Sequence, residues 1–248
     1  MGQVSIITPA YKAEEFLGKA IQSVQEQDFT DWEMLVVDDG SPDNTAKVAM
    51  RYAVDDPRVV LLRQENKGPA LARQNGISVA RGRYIAFLDS DDYWLPYKLS
   101  RQLSFMRERQ AALSYTRFRR ITADCSEVGH LVRIQDRADY WGLLKNTTIA
   151  TSTVIVDRRL TGPFSMTQTY YDDYVLWLEL LRRGHVAHGL QDDLMRYRVV
   201  GHSVSRNKLR SAAHVWRIYR KIERLNMAQA AWAFANYAYN ATVKYKQF

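Results

Sequence analysis

Within the first hundred residues, short apolar runs that lack alternation recur four times, separated by stretches of helical period. The runs are Val4-Ser5-Ile6-Ile7, Met34-Leu35-Val36-Val37, Val59-Val60-Leu61-Leu62 and Tyr84-Ile85-Ala86-Phe87-Leu88. A strand that is apolar on both faces must be covered on both, and a parallel sheet flanked by helices provides that cover. The intervening segments supply the helices. Phe16, Ala20, Ile21 and Val24 recur at spacings of three and four. Ser41-Pro42 reads as an N-cap with proline at the first helical position, opening a helix through about Ala53, and Pro69 to Ala80 forms a third. The expected fold class is α/β.

The remainder is less regular. A polar helix is expected after Pro96 as far as Gln110. Two β-prone segments follow, Leu113–Phe118 and Ala150–Val156, with an irregular stretch around Thr122–Arg137 between them. Asp172 to Arg183 reads as a helix with Val175, Leu176, Leu178 and Leu181 as its apolar stripe, stopped by Gly184. One or two helices are expected from Lys208 to about Lys244. There is no internal repeat, low-complexity tract or Gly/Ser linker.

Charge divides the chain in two. Residues 204–248 carry nine Lys/Arg against one acid, Glu223, which accounts for the whole formal net charge of +8. Residues 1–203 are neutral, which argues against a nucleic-acid-binding core and for a basic C-terminal appendage. In that appendage Val215, Ile218, Ile222 and Leu225 fall at spacings of three and four, with Arg217, Arg220, Lys221 and Arg224 between them. Trp216, Tyr219, Trp232, Phe234, Tyr237 and Tyr239 add aromatics. Such a helix suits an anionic membrane surface; equally, its stripe can pack on the domain and leave the arginines solvated. The longest uncharged stretch, Leu225 to Val243, is broken by Asn226, Gln229, Asn236, Asn240 and Thr242, so it is a poor membrane span. The 12% aromatic content rules out disorder, and a single cysteine, Cys125, rules out a disulfide scaffold. No secretory signal is expected, since Met1-Gly2-Gln3 leads straight into a strand-like run.

The acids fall where an open sheet binds ligands, beyond the carboxyl ends of its strands. Pro9-Ala10-Tyr11 follows the first run, Asp38-Asp39 the second, and Asp89-Ser90-Asp91-Asp92 the fourth. Taken singly, Asp-Asp-Gly-Ser can be a turn, and Asp-Ser-Asp-Asp a solvated loop that caps the next helix. Together at one sheet edge they point to a divalent cation carrying a diphosphate, because Mg²⁺ accepts one or two carboxylates and completes its shell with phosphate and water. Other phosphate cradles are missing. No G-x-G-x-x-G follows the first run, and Gly18-Lys19-Ala20 is no P-loop. A nucleotidyltransferase would need a Gly-rich basic loop where Thr8-Pro9-Ala10-Tyr11 stands, and a non-enzymatic adaptor would not need the acids.

The runs VSIITPAY (4–11), WEMLVVDDGSPDNT (32–45), NKGPALARQNGI (66–77) and GRYIAFLDSDDYWLPYKL (82–99) resemble the nucleotide-sugar-binding half of family 2 glycosyltransferases of the GT-A fold. The likeness continues through YYDDYVLWLELLRRG (170–184) and YRVVGHSVSRNKL (197–209). Around WRIYRKIERL (216–225) it is similar to bacterial members that build teichuronic acid, capsule or O-antigen repeats. The resemblance implies a GT-A-type, Rossmann-like mixed sheet flanked by helices. Residues 1–203 would form the catalytic domain, with 1–110 the nucleotide-sugar half, 111–203 the acceptor half, and 204–248 a basic helical tail.

The resemblance further implies a UDP-sugar donor, with Pro9, Ala10 and Tyr11 bordering the uracil. Asp39 would accept its ring N–H, Asp38 would support that loop, and Arg73 would approach the nucleotide or its phosphates. Asp89-Ser90-Asp91 matches the D-x-D element, with Asp91 at a manganese or magnesium ion (Mn²⁺ or Mg²⁺) and Asp89 holding the ribose or sugar hydroxyls. Asp173 matches the general base of inverting members, with Asp172 as its rival. Arg198, His202, Ser203 and Ser205 match an element that closes over the diphosphate. The acceptor would be a lipid-linked or polymeric glycan, and the enzyme cytoplasmic, peripheral on the inner face of a bacterial membrane.

Overall fold

The computed structural model describes residues 3–147, 149–199 and 208–244. The four apolar runs become β1 (Val4–Ala10), β2 (Trp32–Asp39), β3 (Val59–Gln64) and β4 (Tyr84–Phe87). Between them lie α1 (Leu17–Gln25), α2 (Thr45–Asp55) and α3 (Pro69–Val79). β5 (Tyr93–Trp94), α4 (Lys98–Arg109), β6 (Leu113–Thr122), β7 (Val128–Leu131) and β8 (Arg137–Ala138) follow. Next come α5 (Tyr140–Lys145), a 3₁₀ turn at Thr151–Thr153, β9 (Ile155–Asp157), α6 (Arg158–Thr161), α7 (Asp172–Arg182) and β10 (Ala187–Val199). The described chain ends with α8 (Lys208–Arg217), a π-helical turn at Ile218–Ile222 and α9 (Met227–Lys244).

All strands join one mixed sheet in the order β3-β2-β1-β4-β9-β6-β10-β5, with β7 beside β6 and β8 beside β10. β3, β2, β1 and β4 run parallel; β9 is antiparallel to both β4 and β6, and β10 is parallel to β6. The α/β expectation holds, and the antiparallel insertion of β9 makes the sheet mixed. Successive residues of the central strands serve opposite layers, as the pleat requires. Ile6, Met34, Val36 and Ala86 face the α1, α2 and α4 layer, whereas Ile7, Leu35, Ile85 and Phe87 face α7, α5, α8 and α9. In α3, Gly76 lies so close to β1 that a Cβ there would sit 2.7 Å from Ile7 Cγ2.

Several local expectations are corrected. α2 begins at Thr45 rather than at Ser41, because the Ser41 N–H is donated to Asp38 and Asp43 takes both the N–H and the hydroxyl of Thr45. The stretch 122–137 is no irregular loop: β7 turns back on β6 as a hairpin. Ala150–Val156 divides into the 3₁₀ turn and the short β9. β10, which the sequence pattern did not reveal, crosses most of the second half of the sheet with two register shifts around Asp193. In the tail, the apolar stripe packs inward. Val215, Ile218, Tyr219 and Leu225 are buried in the same core as α5 and α7. None of the described helices is long and apolar enough to cross a membrane.

Candidate active site

Two groups of acids stand at the carboxyl edge of the parallel strands. The first is Asp38 and Asp39, closing β2, with Asp38 in register with Ala10 of β1. Asp38 is fully buried and accepts from Ser41 N (3.1 Å) and Arg63 Nε (3.3 Å). Asp39 accepts from Gln64 Nε2 (2.7 Å), Lys67 N (2.9 Å) and Gly68 N (2.8 Å), cinching the loop before α3 against β2. Gly40 sits at φ +68 in that turn, where a Cβ would lie 2.8 Å from Asn66 N. Pro9 and Ala10 are buried in the sheet, so from this segment Tyr11, 46% exposed, is the side chain offered to a ligand.

The second group follows β4. Arg73, on α3, reaches Asp89 Oδ1 with Nη2 (2.6 Å) and Asp172 Oδ2 with Nη1 (2.7 Å). It thereby ties the acids after β4 to the start of α7. The side chains of Arg73 and Asp172 are each only 8% exposed, and Arg73 Nε is buried without a partner. Burial alone would lower the guanidinium pKa; the charges of Asp89, Asp172 and Asp173 reverse this and hold it firmly protonated. Arg73 was expected near the nucleotide or its phosphates; here two of its three nitrogens are given to carboxylates.

Asp91 is pushed up to about 6, first by burial and then by the charge of Asp89. Asp92 is raised well above its ordinary value by burial, Asp91 and Asp89, although Ser152 Oγ (2.6 Å) and Arg198 N (2.9 Å) donate to it. It does not cap α4, whose N-cap is Tyr97, because β5 intervenes and Asp92 points inward. A carboxyl raised to about 6 by burial and then by a like charge is a place where a cation lowers the energy. Among the described residues no three acids, histidines or cysteines converge to cage an ion. Asp91, with Asp89 beside it, therefore fits an ion that draws its other ligands from a diphosphate and water.

Asp172 and Asp173 open α7, and their side chains diverge. Asp172 is committed to Arg73, whereas Asp173 Oδ2 accepts from Thr151 Oγ1 (2.5 Å) and Oδ1 from Tyr174 N (2.7 Å). Burial and then the charge of Asp172 raise the Asp173 pKa, opposed by Arg73 and these hydrogen bonds. A half-buried carboxylate with a raised pKa is suited to taking a proton.

The 3₁₀ turn joins these parts, and sequence reasoning passed over it. Thr151 holds Asp173, and Ser152 Oγ accepts from Asp89 N (3.0 Å) while donating to Asp92. Trp94 Nε1 donates to the carbonyl of Ser152 (2.7 Å), fixing the turn. The available signal was three hydroxyl residues in succession inside a segment read as β-prone. Arg198 braces the far side, its Nε donating to the Asp91 carbonyl (2.8 Å) and Nη1 to the Ala123 carbonyl and to Cys125 Sγ. His202, Ser203 and Ser205 lie outside the described residues.

A mixed α/β sheet with two acid clusters at its strand ends, bridged to an acid pair on a following helix, defines a GT-A-type glycosyltransferase. The chain belongs to the family described as Glycosyl transferase family 2, whose sequence model matches residues 5–174. It is 40% identical over 243 residues to the putative teichuronic acid biosynthesis glycosyltransferase TuaG of Bacillus subtilis, covering 97% of this chain and 96% of that one. It is 39% identical over 215 residues to WfgD of Escherichia coli, a UDP-Glc:α-D-GlcNAc-diphosphoundecaprenol β-1,3-glucosyltransferase, covering 86% of this chain and 83% of the other. The fold matches the crystal structure of S. aureus TarS 1–349 in complex with UDP-GlcNAc, with a TM-score of 0.73 at 19% identity, over 96% of this chain and 72% of that one.

Proposed function

We propose that this glycosyltransferase moves a sugar, with inversion, from a UDP-sugar to a hydroxyl of a lipid-linked glycan acceptor in bacterial surface-polysaccharide synthesis. The observation that carries the reading is the Arg73 bridge, which brings the acids after β4 and the acid pair of α7 to one site. Asp173 takes the proton of the acceptor hydroxyl as that oxygen attacks the anomeric carbon, and UDP leaves from the opposite face. One base and no covalent nucleophile are required, unlike a double displacement. Asp172 is held away from this role by Arg73. Asp91, with Asp89, would hold Mn²⁺ or Mg²⁺, which when bound offsets charge on the leaving diphosphate. Tyr11 borders the uracil, and Asp39 shapes the loop beside it.

The acceptor class rests on the likeness to WfgD, whose acceptor is a diphosphoundecaprenol-linked sugar. The enzyme works at the inner face of the cytoplasmic membrane, held there by the outward basic residues of its tail, with no nucleic-acid partner. Two measurements test the core of the reading. A panel of UDP-sugars should include one that is hydrolysed when Mn²⁺ or Mg²⁺ is present. Calorimetry should find UDP binding that EDTA and Asp91→Ala each abolish; equal affinity in all three conditions would remove the metal from the reading.

A further inference from the structure

α8 is amphipathic, and its two faces have separate attachments. Ser211 and Val215 are buried, whereas Arg210 and Arg217, seven residues apart on α8, are exposed; Lys221 in the π-helical turn and Arg224 beyond it are exposed as well. The exposed face begins beside the catalytic acids. Tyr170, three residues before Asp173, stacks flat on His214 with centroids 3.9 Å apart and planes 3° apart. The Arg210 guanidinium lies 5.3 Å from the centroid of the same Tyr170 ring, and Tyr170 meets Tyr171, the N-cap of α7, edge to face. A second attachment lies deeper, where Tyr219 after α8 donates to the Leu144 carbonyl and meets the Tyr174 hydroxyl at 3.4 Å. Arg210 and His214 of α8 are thus fixed to the segment that leads into Asp172 and Asp173.

We infer that Arg210, His214 and Arg217 form the diphosphate subsite of the acceptor. This rests on the reading of the acceptor as a lipid-linked glycan. An acceptor whose sugar sits at Asp173 and whose reducing end carries a diphosphate needs cations close by on the base side. The acids after β4 cannot serve there, because their negative charge repels phosphate. Arginine pairs with phosphate through two parallel hydrogen bonds. His214 is lowered in pKa by burial and by Arg217 and Arg210, so the local field already disfavours a further positive charge and favours an anion. The tail's excess charge, which the fold does not need for its core, thereby acquires a place in the reaction.

The test uses decyl diphosphate as a monodisperse probe below its micelle concentration, with decyl alcohol as the uncharged control. Full-length parent protein should bind decyl diphosphate measurably tighter than decyl alcohol, and Arg210→Gln with Arg217→Gln should weaken that binding about tenfold or more. UDP affinity in the same variant should be unchanged, which also reports that it is folded. Lys221→Gln with Arg224→Gln, beyond the end of α8, should leave decyl diphosphate binding intact while weakening attachment to phosphatidylglycerol vesicles. Equal losses from both pairs would show a diffuse cationic surface and overturn the subsite, as would parent protein that treats the two probes alike. Should the double variant lose UDP binding as well, the single exposed Arg217→Glu decides: unchanged probe affinity there refutes the inference. Failure of the probe with UDP binding intact would leave the donor-site reading standing.

Discussion

Arg73 distinguishes the two adjacent carboxylates at the head of α7. It spends one nitrogen on Asp172 and another on Asp89, which locks Asp172 into an ion pair, while Asp173 is held by the neutral donors Thr151 Oγ1 and Tyr174 N. Asp173→Asn should therefore retain UDP binding while transfer falls by about two to four orders of magnitude, the range for a positioned general base. Stability should move the other way. The folded pKa of Asp173 is raised by burial and Asp172, so the group's contribution is lost as pH rises through that value, and above it the charge opposes folding. The amide should raise Tm. Asp172→Asn, which leaves buried Arg73 short of a counter-charge, should lower Tm and reduce transfer less. It should also shift the acid limb of the kcat profile to lower pH, since the second cause of the raised pKa disappears; a larger loss of kcat than in Asp173→Asn would reverse the assignment of the base.

Lys98 is a residue of a different kind. It is fully buried on α4 with Nζ 3.7 Å from the centroid of Trp94 and without a hydrogen-bond partner. Burial drives its pKa well below the usual lysine value. The unfolded chain binds a proton that the folded one holds only at a cost, so stability rises with pH from the folded pKa towards about 10.4, the free value. Contact with the Trp94 face offsets part of that cost. Lys98→Met keeps the stem and removes the charge. Thermal melts at pH 7 should show a higher Tm, by about 2–4 °C for each kcal/mol recovered in a domain of this size, and the gain should shrink as pH rises. A lower Tm would mean that the ammonium has a stabilising partner.

At the scale of elements, the 3₁₀ turn at Thr151–Thr153 does more for the site than any strand around it, and it was the part least legible in the sequence. Ser152 shares one hydroxyl between Asp89 N and Asp92 Oδ2, coupling the loop after β4 to the turn. Ser152→Ala strands a buried carboxyl oxygen, so a loss of about 1–3 kcal/mol is expected in chemical denaturation, with weaker UDP binding as the Asp89–Asp91 loop loosens. Unchanged stability would place water on Asp92 instead. β1 to β4 were readable because each is apolar on both faces and bounded by turn residues. β10 was not, since Gln191-Asp192-Asp193 interrupts it and register shifts break the alternation that would have marked a strand. The acids at the strand ends could be placed from the sequence; their partners could not. Arg73 meets Asp172 across 99 residues and Arg198 meets Asp92 across 106, pairings that only the closed sheet creates.

For the whole molecule, the neutral domain and basic tail seen in the sequence do not divide the core, because α8 and α9 bury Val215, Ile218, Leu225, Ala230 and Ala233 against the layer that holds α7. Both expectations for the tail thus concern different faces of the same helices: the stripe packs inward, and charge remains outside. Arg217, Lys221 and Arg224 are exposed, whereas Arg220 donates to the Leu225 carbonyl and helps end the π-helical turn. Trp232 and Tyr239 on α9 are 46% and 69% exposed, and Trp141 of α5 meets Trp232 edge to face at 6.2 Å. Exposed aromatics on a tail that also carries outward basic residues suit the boundary between lipid headgroups and water. Replacing Arg217, Lys221 and Arg224 together by Gln, with Arg220 left in place, should spare UDP affinity and Tm, because none of the three packs inward. Binding to anionic vesicles should fall on the order of a hundredfold, at about 1 kcal/mol for each charge removed, and high salt should erase the difference between parent and variant. Co-sedimentation with phosphatidylglycerol and with neutral vesicles measures this directly. If the parent ignores anionic vesicles, or the variant binds them as well, the outer face of the tail has no membrane role and α8 and α9 act as a clasp on α7.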